Sequence, residues 1–251
     1  MSNTGAVGIF DSGIGGVTVL RELVSLLPNE RFIYYGDSGN FPYGEKSAEK
    51  IRELSFGIVD FLLANGCKMI VIACNASTAS ALDALQKAFS VPVIGVIGNG
   101  AKAAAAKTRN KKICILATRF TVNNKAYVHA LKAIDTNIEI SQIACPHLAT
   151  VIEEGWHATK EQEELLSSYT SQIGRDVDTL VLGCTHYPLI EHDIARRFPH
   201  TIINPAFETA LQAKQILVDN ALQSPNTTPH PNNVLFCVNA DMKKISEIAR
   251  L

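Results

Sequence analysis

The sequence predicts an α/β protein made of two similar doubly wound parallel-sheet lobes. They are related by pseudo-twofold symmetry, with a site in the cleft between them. Three observations carry this expectation. Short apolar runs bounded by Gly, Pro and Asn alternate with stretches of helical period. Runs such as Ile70-Val71-Ile72 are apolar without alternation, as parallel strands buried on both faces are. Finally, Ile70-Val71-Ile72-Ala73-Cys74-Asn75 and Leu180-Val181-Leu182-Gly183-Cys184-Thr185 are near-copies, each ending a short strand on a cysteine.

In chain order, strands are predicted over 7–10, 32–35, 69–73 and 93–97, separated by helices over 17–27, 48–64 and 78–89. The first helix ends before Pro28; the second has apolar positions 51, 54, 58, 59 and 62 and stops at Asn65-Gly66. The pattern then restarts, with strands over 113–116, 138–144, 179–182 and 201–203 and helices over 122–134, 160–173 and 189–198. The strand ends Asp11, Asp37, Cys74 and Gly95 register with Thr118, Cys145, Cys184 and Asn204. Their intervals are 26, 37 and 21 residues against 27, 39 and 20, which points to an internal duplication. The tail reads as a helix over 208–221, a loop over 226–233, a strand over 234–238 and a last helix over 242–251, returning to the first lobe. The expected division is therefore 1–97 plus 206–251 for the first lobe and 98–205 for the second.

Composition narrows the partners. Of 251 residues, 47% are hydrophobic and 19% charged, with a net charge of −1, as in a well-packed globular protein. The densest basic stretch, Lys107, Arg109, Lys111 and Lys112, reads as a helix end and loop, so nucleic acid is not an expected partner. The first residues carry no secretory pattern and no apolar run is long enough to span a bilayer, so a cytoplasmic protein without membrane association is expected. Six cysteines at 67, 74, 114, 145, 184 and 237 form no C-x-x-C pair, which favours free thiols over a metal site. No lysine sits in an evident cofactor context, and no cofactor is expected. A homodimer is left open, because core and surface faces are not distinguishable in one sequence.

Several segments could carry chemistry. Asp11-Ser12-Gly13-Ile14-Gly15-Gly16 follows the first strand, where its amides could approach an anion or merely cap the coming helix. It is not a dinucleotide fingerprint, since the final glycine position holds Thr18. In Phe41-Pro42-Tyr43-Gly44, a tyrosine hydroxyl beside a glycine amide could hold a carboxylate, or the segment is a packed loop. Cys74 and Cys184 give the sharpest signal: each ends a strand just ahead of an expected helix N-terminus, which favours thiolate. His186 could tune Cys184 or act as an acid. Glu153-Glu154-Gly155 precedes a helix and reads on its own as a solvated turn. The other four cysteines read as small buried hydrophobes.

Together these segments resemble the bacterial glutamate racemases, within the cofactor-independent aspartate/glutamate racemase group, over about residues 7–210. The resemblance rests on Phe10-Asp11-Ser12-Gly13-x-Gly15-Gly16, Gly36-Asp37, Pro42-Tyr43-Gly44-x-Lys46-Ser47, Ala73-Cys74-Asn75 and Leu182-Gly183-Cys184-Thr185-His186-Tyr187-Pro188, in this order. It implies two-base racemisation at the α-carbon of glutamate, supplying D-glutamate for peptidoglycan. The catalytic thiols fall on Cys74 and Cys184, assisted by Asp11 and His186, with Glu153 at the position of the family's acid. Asp11, Ser12, Tyr43, Gly44, Asn75, Thr185 and His186 would hold the substrate, together with the position now occupied by Ala76. There the family usually has threonine, so one hydroxyl is lost, with Ser77 and Thr78 as the nearest replacements. Losing a hydrogen bond to a charged carboxylate costs about 1.5–3 kcal/mol, which predicts a retained reaction with weaker affinity or altered side-chain preference. The chain also departs from the pattern at Ser38-Gly39-Asn40, Gly98-Asn99-Gly100 and Cys145-Pro146-His147-Leu148-Ala149-Thr150. Two rival functions share the features: an aspartate or other amino-acid racemase, and a non-catalytic two-lobed module that binds an acidic metabolite.

Overall fold

A computed structural model describes residues 3–228 and 233–239. Its strands form two all-parallel sheets. The first contains β1 (Ala6–Asp11), β2 (Phe32–Gly36), β3 (Cys67–Ile72), β4 (Val93–Gly95) and, from the tail, β9 (Val234–Val238), in the order β4-β3-β1-β2-β9. The second contains β5 (Lys112–Ala117), β6 (Glu139–Ala144), β7 (Thr179–Gly183) and β8 (Thr201–Ile203), in the order β6-β5-β7-β8. Ile9 lies beside Tyr34 and Val71, and Ile115 beside Gln142 and Val181. Replacing β1 to β4 by β5 to β8 turns one order into the other, so the duplication expected from the strand spacing is present in the topology.

Strands β1, β3 and β7 are buried along their whole length, because helices cover both faces of each sheet. Helices α2 (Ala48–Ala64) and α3 (Asn75–Ala88) lie on the outer face of the first sheet, where Ile58, Val59, Leu62 and Leu85 pack against Phe10, Ile70 and Ile72. The outer face of the second sheet, with Cys114, Leu116, Leu180 and Leu182, is covered by α7 (Leu148–Glu154), α8 (Lys160–Thr170) and α9 (Glu191–Ala195). Between the sheets, α1 (Val17–Leu26), α4 (Val96–Lys107) and α10 (Pro205–Asp219) join the two inner faces in one continuous core, including Val7, Ile9 and Val71 on one side and Ile113, Ile115 and Val181 on the other. The lobes thus share a helical middle layer. Small residues make the layer thin: a Cβ on Gly100 of α4 would stand 2.9 Å from the ring of Pro205 at the start of α10.

Several expected elements differ from the observed ones. The strand over 93–97 ends at Gly95, and Val96 opens α4, which was not expected. A short apolar run buried on all sides has no periodicity to separate strand from helix. The helix over 122–134 is two helices, α5 (Arg119–Asn124) and α6 (Ala126–Ile134), broken at Lys125 with φ of 59°. The helix over 189–198 is a 3₁₀ turn (Tyr187–Ile190) followed by the short α9, with Pro188 in the first turn. Helix α7 was not expected either, so Glu153 lies in a last helical turn rather than in a loop before a helix. The expected helix over 242–251 lies outside the described residues. No helix among the described residues is long and apolar enough to cross a membrane.

Candidate active site

Both sheets point their carboxyl ends at one cleft, the usual ligand position in open parallel sheets. Its empty space is about 580 Å³. Cys74 and Cys184 both line it, as do Ser12, Asn75, Thr185 and His186. Tyr43, Gly44 and Ala76 complete the expected residues found on the wall. Asp11 and Glu153 are not on the wall; each sits behind it, hydrogen-bonded to a wall residue.

Asp11 closes β1 and is fully buried. One of its oxygens accepts the amides of Gly13 (3.2 Å) and Gly16 (3.0 Å). The amide of Ile14 donates to both oxygens of Glu153, at 3.3 and 3.2 Å. The glycine-rich turn is therefore an anion cradle whose anions are the protein's own carboxylates. Gly13 and Gly15 allow the second lobe to approach: added Cβ atoms would stand 2.7 Å from the Glu153 carboxylate and 2.6 Å from the His186 ring. Burial pushes the Asp11 carboxyl up to about 6; the nearby Glu153 adds to this, and the charged His186 and the two amides oppose it.

Cys74 lies two residues past β3 and is the N-cap of α3. Its sulfur accepts the Ser77 amide at 3.5 Å and donates to the Ser12 hydroxyl at 3.7 Å. Burial, and secondly the charge of Asp11, push the thiol up to about 12 despite these donors. The expectation of a helix-favoured thiolate at Cys74 is thus reversed, because desolvation exceeds the pull of one helix terminus.

Cys184 follows β7 directly, but the next regular element is the 3₁₀ turn, so its thiol has no α-helical terminus behind it. It has His186 instead, with Nδ1 3.6 Å from the sulfur. Nε2 of the same ring lies 2.5 Å from Glu153. Burial alone would lower the imidazole, but the hydrogen bonds and charges of Cys184 and Glu153 prevail and hold it well above its ordinary value. The Thr185 hydroxyl donates to both Asp11 oxygens at 3.2 and 3.3 Å and lies 3.4 Å from His186 Nδ1. Asp11, Thr185, His186, Glu153 and the Ile14 amide thereby form a polar chain that crosses from one lobe to the other and back.

The remaining wall corrects several expectations. The Tyr43 hydroxyl donates to Asp37, so it is engaged within the protein rather than free for a ligand carboxylate. Asn75 accepts the Tyr127 hydroxyl at 2.9 Å through Oδ1, which leaves its Nδ2 group to donate. Neither candidate replacement for the hydroxyl absent at Ala76 reaches the cleft. Thr78 donates to the carbonyls of Cys74 (2.9 Å) and Ile72 (3.3 Å), and the buried Ser77 hydroxyl has no hydrogen-bond partner. Asn99 of the Gly98-Asn99-Gly100 departure donates to Gly95 O and Gln212 inside the middle layer, and so bears on lobe packing. Asn40 of the Ser38-Gly39-Asn40 departure donates to Asp37 at 3.0 Å.

Phe41, Thr118, Arg119, Cys145, His147 and Thr150 also line the cleft and were not singled out as site residues. The strand registration contained the signal for two of them. Cys145 stands one residue past β6, as Asp37 stands one past β2, whereas Thr118 stands one residue past β5 and so falls one position beyond the place of Asp11, which ends β1.

Residues 7–213 match the family described as Asp/Glu/Hydantoin racemase. A glutamate racemase from Fusobacterium nucleatum subsp. nucleatum is 42% identical over 239 residues, covering 95% of this chain and 90% of its own length. Among solved structures, a glutamate racemase isoform from Bacillus anthracis is similar with a TM-score of 0.92 and 37% identity, over 98% of this chain and 92% of that one. The glutamate racemase of Francisella tularensis subsp. tularensis, solved in complex with D-glutamate, is similar with a TM-score of 0.90 and 34% identity, over 99% and 93% of the two chains. With a shared topology, a cleft between the lobes and a family match over most of its length, this chain belongs to the Asp/Glu/hydantoin racemases.

Proposed function

We propose that this protein is a glutamate racemase that interconverts L- and D-glutamate by proton transfer between Cys74, the substrate α-carbon and Cys184. The observation that carries the reading is that two thiols at equivalent strand ends of duplicated lobes line one cleft. With the α-carbon between the sulfurs, a thiolate removes the α-proton from one face. The electron pair of the broken C–H bond moves into the α-carboxylate, and the opposite thiol then protonates the other face. Turnover leaves the two sulfurs with exchanged protonation states.

The residues around them supply the remaining needs. Cys74, held as a thiol by burial beside Asp11, starts as the acid. Cys184, whose sulfur lies 3.6 Å from Nδ1 of an imidazole that retains its proton, serves the opposite face. The hydroxyl of Ser12 and the Nδ2 group of Asn75 line the cleft as donors toward the α-carboxylate where charge develops. Asp11 and Glu153 act from behind the wall, Asp11 through Thr185 and Glu153 through His186. Production of D-glutamate would supply peptidoglycan synthesis.

The test is α-proton exchange in deuterated water with L- and D-glutamate, and with aspartate for comparison. Deuterium should appear at the α-carbon together with the opposite enantiomer of glutamate. Binding without exchange would instead identify a binding module, and exchange confined to aspartate a different substrate.

A further inference from the structure

We propose that Ser77 is a positioning residue for Cys74, its hydroxyl donating to the Cys74 sulfur when that sulfur becomes the thiolate in turnover. The inference rests on the racemase reading for that proton cycle. Among the described residues, the buried side-chain polar atoms without a hydrogen-bond partner are Ser38 Oγ, Gln142 Oε1, Tyr187 Oη and Ser77 Oγ. Only the last lies in α3, the helix that Cys74 caps. The next hydroxyls of α3 are engaged: Thr78 donates to the carbonyls of Ile72 and Cys74, and Ser80 to the Ala48 carbonyl at 2.9 Å. A buried hydroxyl left without a partner costs stability, so its presence at Ser77 calls for a physical reason.

Its place in the helix supplies one. Cys74 is the N-cap of α3 and Ser77 the third residue after it, the place from which a side chain reaches back to the cap. The Ser77 amide already lies 3.5 Å from the Cys74 sulfur. As a thiol, Cys74 donates its proton to the Ser12 hydroxyl at 3.7 Å, which leaves a neutral sulfur, a weak acceptor, for Ser77. Once Cys74 has given that proton to the α-carbon, the sulfur carries a full charge, and hydrogen bonds to a charged acceptor are roughly twice as strong. Of the groups that oppose the rise of the Cys74 thiol, the Ser77 hydroxyl is the foremost, ahead of the Ser77 amide and of Ser12. The titratable groups of the first lobe that act on the sulfur are Asp11 of β1, Tyr34 of β2 and Tyr43. Asp11 resists the thiolate and burial keeps both tyrosines protonated, so the first lobe meets the new charge with hydroxyl and amide dipoles. Glu45, Arg119, Cys145, His147, Cys184 and His186 line the rest of the cleft. All of these remain in a Ser77→Ala variant.

The test compares the full chain with Ser77→Ala. Both are alkylated with iodoacetamide from neutral to mildly alkaline pH, and modification of Cys74 and Cys184 is followed separately by peptide mass spectrometry. Removing the hydroxyl should slow Cys74 about three- to tenfold at each pH, since the thiolate fraction falls while its intrinsic nucleophilicity partly recovers. Cys184 should change less than twofold. In turnover, kcat should fall about tenfold and KM should move less than twofold. The melting temperature of Ser77→Ala should stay level or rise, because the group removed is unpartnered in the thiol state. An unchanged Cys74 rate, equal slowing of both cysteines, an unchanged kcat in an active parent protein, or a melting temperature lowered by several degrees overturns the proposal. A parent protein that exchanges no α-proton defeats the racemase reading instead, and the ratio of Cys74 to Cys184 alkylation still tests Ser77.

Discussion

Cys74 and Cys184 occupy the same place in two copies of one topology, yet their surroundings are opposite in charge. Cys74 caps an α-helix and is buried beside the carboxylate of Asp11, which raises its thiol. Cys184 precedes a 3₁₀ turn and is backed by an imidazole that Glu153 helps keep protonated. The duplication brings two sulfurs to one cleft, and divergence around them gives each a different neighbour, a carboxylate at Cys74 and an imidazole at Cys184. A racemase that transfers a proton across a carbon needs both: matched positions for the two faces and unmatched charge states at the start of each turnover.

The most damaging changes to this comparison are Cys74→Ser and Cys184→Ser. Each should lower racemisation by ~10³-fold or more, because a serine hydroxyl is a far weaker base and one face is left unserved. If the sulfurs serve opposite faces, each variant should retain slow deuterium exchange with retention of configuration for one enantiomer only, and for a different enantiomer in each variant. Racemisation that survives both substitutions would overturn the assignment.

Asp11→Asn tests the Cys74 side through stability. A carboxyl held at about 6 when folded, against 3.8 as its ordinary value, contributes stability in full below pH 3.8 and loses it as the pH rises through 6. Relative to Asp11→Asn, the parent protein should thus lose roughly 2 kcal/mol of unfolding free energy between pH 4 and 7. Urea unfolding across that range reads the slope, and a flat or opposite slope contradicts the burial of an ionised Asp11.

Glu153→Gln tests the Cys184 side. Without its carboxylate partner, the lowering of His186 by burial is less opposed, so the imidazole should lose its proton at lower pH. We expect kcat to fall roughly ten- to hundredfold at neutral pH, with partial recovery as the solution is acidified. A uniform loss at every pH would indicate that Glu153 only holds the Ile14 turn in place. The smallest expected effect is at Ala76→Thr on the cleft wall. Restoring a hydroxyl there should lower KM for glutamate about tenfold, the low end of what one hydrogen bond to a carboxylate contributes; a raised KM would mean that the wall has no room for it.

The legible and illegible parts of the site divide along the same line. Cys74 and Cys184 could be found because both end strands with the same local pattern, and periodicity and spacing are properties of contiguous residues. Glu153 could not be placed from its own neighbours, since its value lies in reaching His186 and Ile14, 33 and 139 residues away.

By itself the sequence determined the strand–helix alternation, the repeat of the first half in the second and the position of each thiol at a strand end. These follow from hydrophobic period and from turn-forming residues, which act over a few positions. Tertiary structure alone decided that Val96 to Lys107 is a helix buried between the sheets rather than the end of a strand. It also decided that the glycine-rich turn grips Asp11 and Glu153, and that burial raises one thiol while an imidazole attends the other. Desolvation and charge coupling depend on distances between residues remote in the chain, and those distances exist only once the two lobes have packed on their shared helices.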